Sequence, residues 1–107
     1  MTVGQLLSLI DATIENEHTD EVKIAWIRDV DGRVLSEIHR VPQEKISLPK
    51  SESDVLALPD SYVRAYMLYV RAMIEFFNGT YNGYTNRYRE YESTLSMYAK
   101  HFIRNRS

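Results

Sequence analysis

The feature that most constrains this chain is a run of aromatic and aliphatic residues toward its C-terminal end. Tyr81, Tyr84, Tyr88, Tyr91, Leu95, Tyr98 and Phe102 recur at alternating steps of three and four. That spacing is a heptad seam: it lays one apolar stripe along a helix and demands a second apolar surface to cover it. The seam predicts a helix over 81–104, a rod of about 36 Å at about 1.5 Å rise per residue. Asn78-Gly79 stands just before it, and glycine after the last helical residue is a common stop. Upstream, residues 61–77 carry two adjacent stripes. One is Tyr62, Tyr66, Tyr69, Met73 and Phe76; the other is Val63, Met67, Val70, Ile74 and Phe77. A helix apolar on most sides is central or shared with another subunit. Its polar positions are largely Arg64, Arg71 and Glu75. The short link between two such helices predicts an antiparallel hairpin.

The first half continues the helical pattern. Val3, Leu6, Leu7, Ile10 and Ile14 share one face, and Thr2 with Gln5 three residues on is a capping box, so a helix is predicted over about 3–15. Thr19 followed by Asp20 and Glu21 reads as the start of a second helix, whose dipole favours acids in the first turn. Ile27, Val30, Val34, Ile38 and Val41 extend it over about 20–40, with Trp26, Ile24 and Leu35 widening the face. Residues 41–60 break the pattern. Pro42, Pro49 and Pro59 exclude a continuous helix, and Lys50-Ser51-Glu52-Ser53-Asp54 reads as an exposed loop. "ISL" and "DVLAL" within it are candidates for short strands. A connection this long in a small domain is commonly functional or disordered. The expected fold is all-α: a single domain, 1–107, with four helices, a C-terminal hairpin and one long irregular loop.

At 107 residues the chain is long enough for one modest core. The absence of cysteine excludes disulfides and thiolate metal sites. No apolar run approaches the roughly 18 residues needed to span a bilayer. Asp11, Glu15 and Glu17 interrupt the only apolar start, so no signal peptide is expected, and the reading is a soluble, cytosolic protein. Net charge is −2, unevenly spread. Residues 1–58 hold six Lys+Arg and eleven Asp+Glu; residues 59–107 hold seven and four. Either the two halves pair within one molecule, or they present complementary faces to neighbouring subunits.

"WIRDVDGRV" (Trp26–Val34) contains Asp-x-Asp-Gly, which opens many calcium loops. The ligand positions do not fit. With Gly32 at position 6, positions 1 and 12 are Ile27 and Ile38; with Asp29 at position 1, position 12 is Arg40. The apolar phase also passes through the string unbroken, which favours helix. On a helical wheel Asp29 points away from the apolar arc, whereas Asp31 lies inside it. A buried carboxylate needs a partner. An ion pair with Arg64 or Arg71 is expected, the alternative being a solvated Asp31 at the edge of the arc. Gly32, unfavourable in a helix interior by about 1 kcal/mol, suggests close approach of another backbone or ring.

Little else carries chemistry. His18, His39 and His101 sit on different elements without ligand spacing and read as surface residues. No nucleophile elbow or phosphate loop is present. No catalysis, metal or cofactor is expected. All eight tyrosines fall between Tyr62 and Tyr98, serving the hairpin core, a protein interface, or both. The interface reading points to Tyr81, Tyr84, Tyr88 and Tyr91 with Arg87 and Arg89. "NRYREY" (Asn86–Tyr91) suggests base stacking, but Tyr88 and Tyr91 belong to the seam. Lys100, Arg104 and Arg106 fit compensation of the helix dipole.

Two stretches carry a resemblance. "DEVKIAWIRDVDGRVLSEI" (Asp20–Ile38) resembles the early part of a family of small structural proteins of tailed phages and prophages, the head–tail connector or adaptor proteins. Leu58–Phe102 is similar to that family's second half, through Pro59, Tyr62, Tyr66, Tyr69, Ala72, Ile74, Asn78, Gly79, Tyr81 and Tyr84. The likeness covers roughly two thirds of the chain. Its specific landmarks are Trp26 with Asp31-Gly32-Arg33, and Asn78-Gly79-x-Tyr81; the rest is generic helix. The 41–58 segment departs from the family's pattern. The resemblance implies a helical virion subunit that forms a homo-oligomeric ring beneath the portal, contacts portal and tail or stopper proteins, and lets DNA pass through its lumen. It implies the host cytoplasm before assembly and the virion neck afterwards. The alternative is a small helical protein–protein interaction or regulatory module.

Overall fold

The computed structural model describes residues 1–105; Arg106 lies outside them. Four helices carry the fold: α1 (Val3–Thr13), α2 (Asp20–Arg33), α3 (Val63–Phe77) and α4 (Tyr81–Arg104). The all-α expectation holds, and no strand forms among the described residues. The molecule measures 42 × 29 × 24 Å along its principal axes.

Local chemistry sets the helix starts. The Thr2 hydroxyl accepts from the Gln5 N–H at 3.2 Å, and the Gln5 side chain accepts from the Thr2 N–H at 2.9 Å, closing the capping box. Thr19 accepts from the Val22 N–H at 3.3 Å and caps α2. The α3–α4 link is a Schellman motif. Gly79 takes φ +79°, the Thr80 N–H donates to the Glu75 carbonyl at 2.8 Å, and the Gly79 N–H donates to Phe76 at 3.1 Å.

Three element boundaries differ from expectation. α1 stops at Thr13 rather than residue 15, because Ile14 turns extended and buries its side chain in the core. The second helix keeps its α form only to Arg33; Val34–Ile38 follow as a single π-helical turn, with the His39 N–H reaching back to the Val34 carbonyl at 2.9 Å. Arg40, in the left-handed region at φ 59°, and Pro42 then end it. Residues 60–62 form a 3-10 turn, and the α-helix proper begins at Val63.

The 41–60 loop is ordered by the other segments. "ISL" forms no strand, and "DVLAL" contributes one isolated antiparallel bridge, Val55 to Thr2. The loop's carbonyls serve the start of α1: Val3 donates to Asp54 at 2.9 Å and Gly4 to Glu52 at 2.8 Å. These are two of the N–H groups a helix leaves unpartnered at its start. Gly4 is the glycine that close approach of this loop requires, since a Cβ there would lie 3.2 Å from the Glu52 Cβ and carbonyl oxygen; on α4, a Cβ at Gly83 would meet the Glu75 carboxylate at 2.6 Å. Gly32 is not: a Cβ there would meet only the Leu48 side chain, at 3.7 Å. Leu56 and Leu58 plug the core from this loop.

One core joins all four helices. Leu6 and Ile10 of α1, Ile27 and Val30 of α2, Tyr66 and Val70 of α3, and Tyr91 and Leu95 of α4 are all buried in it. The α4 seam is deepest in its middle. Tyr91, Leu95 and Tyr98 are buried, Tyr84, Tyr88 and Phe102 are half-buried, and Tyr81 is exposed.

Candidate functional site

Asp31 is 1% exposed, and its partner is not an arginine. The Tyr66 hydroxyl donates to Asp31 Oδ1, and the Ala57 N–H donates to Oδ2 at 3.1 Å. The Leu58 N–H donates in turn to the Tyr66 hydroxyl at 3.0 Å. The expected ion pair with Arg64 or Arg71 does not form. Arg64 is exposed and reaches Glu90 on α4 at 3.0 Å, and Arg71 enters no ion pair among the described residues. The reason is geometric. Tyr66 sits on the α3 face that α2 covers, while Arg64 is turned to solvent. Burial raises the Asp31 carboxyl above its ordinary range, opposed by the bonds from Tyr66 and Ala57. Burial, then the Asp31 charge, raises the Tyr66 phenol far above its own. Closed to solvent, the pair acts as a cross-link that ties α2, α3 and the loop together.

Arg33, two residues on, is the second junction. Its guanidinium meets the Glu92 carboxylate through both terminal nitrogens, at 3.0 and 2.7 Å, while Nε reaches Glu37 at 2.7 Å. It also lies over the Tyr91 ring, 5.6 Å from the centroid. The hydrogen bonds from Arg33, and secondarily its charge, hold Glu92 below the usual carboxylate range against a smaller effect of burial. Burial pushes the Tyr91 phenol up to about 12 against the pull of Arg33. Trp26, the other landmark of that stretch, stacks on Phe77 at 6.1 Å. On the outer face, Asp29 accepts from Tyr69 at 3.1 Å. The Asp-x-Asp-Gly string is therefore helical, and both carboxylates accept from tyrosines of α3. Among the described residues no three His, Asp or Glu side chains gather where they could hold a metal.

The expected interface residues divide. Tyr81 is 63% exposed, and Arg89 is exposed without an ion-pair partner among the described residues. Arg87 leans on Glu90 at 3.5 Å. Tyr84 and Tyr88 are half-buried, and Tyr91 is buried in the core, so it is corrected from interface to packing residue. The exposed aromatic surface lies instead at the hairpin tip, where Phe76 and Phe77 join Tyr81. The sequence held a signal for this: Phe76 and Phe77 immediately precede the Asn78-Gly79 stop, at the end of the hairpin where little of the fold remains to cover them.

Two further side chains were missed. Lys23 is 3% exposed and bonds Asp11 at 2.6 Å, joining α1 to α2. His39 is half-buried rather than superficial: Nε2 lies 2.6 Å from the Tyr98 hydroxyl and the ring stacks on Phe102 at 4.4 Å. Burial lowers its pKa.

The charge surplus of the two halves is not cancelled internally. Of the seven ion pairs among the described residues, two join residues 1–58 to 59–107: the Met1 amine with Asp60, and Arg33 with Glu92. In both, the cation comes from the acidic half and the anion from the basic half. Ion pairs between the halves therefore offset neither surplus, which does not favour the intramolecular one of the two alternatives. No helix among the described residues is long and apolar enough to cross a membrane. No family model, curated protein or solved structure matches this chain.

Proposed function

We propose that this chain is a structural subunit of a tailed-phage head–tail connector, assembling as a ring beneath the portal and acting by assembly rather than catalysis. The observation that carries the reading is where the family landmarks fall. Trp26, Asp31 and Arg33 join α2 to α3 and α4 through Phe77, Tyr66 and Glu92 respectively. Tyr66, one of the matching positions of the second stretch, completes the buried cross-link. The likeness thus rests on residues that determine how the helices sit, more specific than shared helical periodicity.

The hairpin supplies a rigid body, and the segregated charge supplies a direction in which copies add. A head-to-tail contact closes into a ring only when the rotation per subunit permits it, and portal symmetry would template that closure. Before assembly the subunit would reside in the host cytoplasm; afterwards it would sit in the virion neck between portal and tail or stopper proteins, with DNA passing through the lumen. Co-expression with the portal protein of the same phage or prophage, followed by native mass measurement and electron microscopy, tests this. A ring of this chain bound beneath the portal is expected. A chain that stays unbound in the presence of assembled portal refutes the reading.

A further inference from the structure

The molecule is polarised from end to end, and its two ends complement each other. At one end the α3–α4 turn exposes Phe77 and Tyr81, each 63% accessible, and Phe76 at 44%. These rings lean on one another: Phe76 lies 5.5 Å from Phe77 and 6.0 Å from Tyr81. The α1–α2 linker borders the cluster, because His18 sits 6.3 Å from Phe77. That linker carries Glu15 and Glu17, both exposed. The tip is therefore an aromatic patch whose rim carries three carboxylates, Glu15, Glu17 and Glu75, against one cation, Arg71, which lines a pocket with Glu15 and Glu75. At the other end, α4 finishes with exposed Lys100 and Arg104 around Ile103, which is 62% accessible. Arg40 joins this end, lining with Glu37, Ile38, Ala99 and Ile103 a groove beside α4; the Glu37 carboxylate is already held by Arg33 at 2.7 Å. Among the described residues, Glu15, Glu17, Arg40, Lys100 and Arg104 enter no ion pair.

We infer that the basic end of α4 of one copy docks on the acidic-rimmed aromatic tip of a second copy of this chain. Charge decides the occupant. Tip against tip would set Glu15 and Glu17 against their own equivalents, and end against end would oppose Lys100 and Arg104 to theirs; like charges across an interface repel and disfavour both arrangements. Tip against end pairs opposite charges and covers an exposed apolar patch on each side, with Ile103 set among the rings and the cations meeting the rim. The contact is heterologous, so each copy keeps one free tip and one free end, and the chain of contacts continues until geometry closes it. The inference deepens the connector reading by naming the surfaces through which neighbours meet, and it rests on that reading only for closure into a ring.

Sedimentation of the full chain, from dilute solution up to millimolar, tests the docking. Neighbours held on one template experience effective concentrations of that order. The wild type should self-associate, less so as salt is raised. Phe77→Ser and Ile103→Ser should each weaken association about tenfold or more. Mixed in equal amounts they should form a dimer and nothing larger, since one variant keeps its end and the other its tip. Circular dichroism verifies folding; if either variant loses its helical signal, Glu17→Lys and Lys100→Glu probe the same surfaces from exposed positions. A wild type that stays monomeric at millimolar concentration overturns the inference, as does a mixture of folded variants that fails to dimerise. The two proposals separate cleanly. Portal binding by a chain that never self-associates removes the tip-to-end contact and leaves the connector reading standing. Tip-to-end association without portal binding does the reverse.

Discussion

Replacing Tyr66 by Phe removes one oxygen from the centre of the fold and leaves the ring in place. That oxygen does two things: it donates to Asp31 Oδ1 and accepts from the Leu58 N–H. All three residues are buried, so water does not replace the lost partner. An orphaned buried N–H costs about 1–3 kcal/mol, and a hydrogen bond to a charged group is worth about 1.5–3 kcal/mol. Asp31 keeps the Ala57 N–H, and some relaxation follows, so the expected loss is about 2–5 kcal/mol at neutral pH. The pH dependence identifies the cause. Asp31 already has a raised folded-state pKa, so the folded state binds a proton more tightly than the unfolded chain does. Stability is therefore fullest below the ordinary value of 3.8 and declines as pH rises through the folded-state value. Tyr66 is one of the groups that hold this pKa down; its loss raises the pKa further and enlarges the decline. The penalty of the substitution should then be large at neutral pH and shrink on acidification, leaving mainly the orphaned Leu58 N–H. Urea unfolding followed by circular dichroism across this range measures it. Tyr69→Phe is the control, since its hydroxyl bonds an exposed Asp29; a loss below about 1 kcal/mol is expected there. A Tyr66→Phe penalty below about 0.5 kcal/mol, or one that does not vary with pH, would refute the reasoning.

Three further outcomes are expected. Leu95→Ala, at a seam position 3% exposed, should lower stability by about 2–5 kcal/mol; a urea midpoint close to wild type would contradict its placement in the core. Gly32→Ala should raise stability by about 0.5–1 kcal/mol, because the added methyl meets only Leu48 at an ordinary contact distance; destabilisation would restore the close-approach reading. His39, whose pKa burial lowers from 6.5, binds a proton less readily when folded, so its stability contribution is present above that value and lost as pH falls toward the folded-state value. A stability–pH profile of His39→Phe should be flatter through that window, and an unchanged slope would assign the dependence to other groups.

Much of the local architecture was legible before any tertiary contact. The Thr2–Gln5 box, the Thr19 cap, the Asn78-Gly79 stop and the 81–104 limits of α4 all match. Each depends on residues within a turn of one another, so short-range hydrogen bonding and periodicity suffice. The continuous phase through Asp29 and Asp31 likewise revealed a helix where a motif search suggests a metal loop. The need of Asp31 for a partner was legible as well, because the wheel placed its carboxylate among apolar residues.

Which partner Asp31 finds was not. An arginine is the usual counterpart of a buried acid, but choosing between Arg64, Arg71 and Tyr66 depends on the rotation of α3 against α2. That rotation is a property of the assembled core rather than of either helix. How far the core reaches along the hairpin is likewise tertiary: it buries Tyr91 in mid-seam and leaves Tyr81 and Phe77 on the surface at the tip, although all three lie on apolar stripes. The 41–60 loop read as irregular for good reason, since the interactions that order it belong to other segments: its carbonyls meet the first N–H groups of α1, and its backbone meets Asp31 and Tyr66. Chain composition determined that the halves carry opposite surpluses. Only the tertiary structure decided that ion pairs between the halves do not offset those surpluses, because ion pairs form between side chains that folding brings within reach, and folding brought the wrong signs together to cancel them.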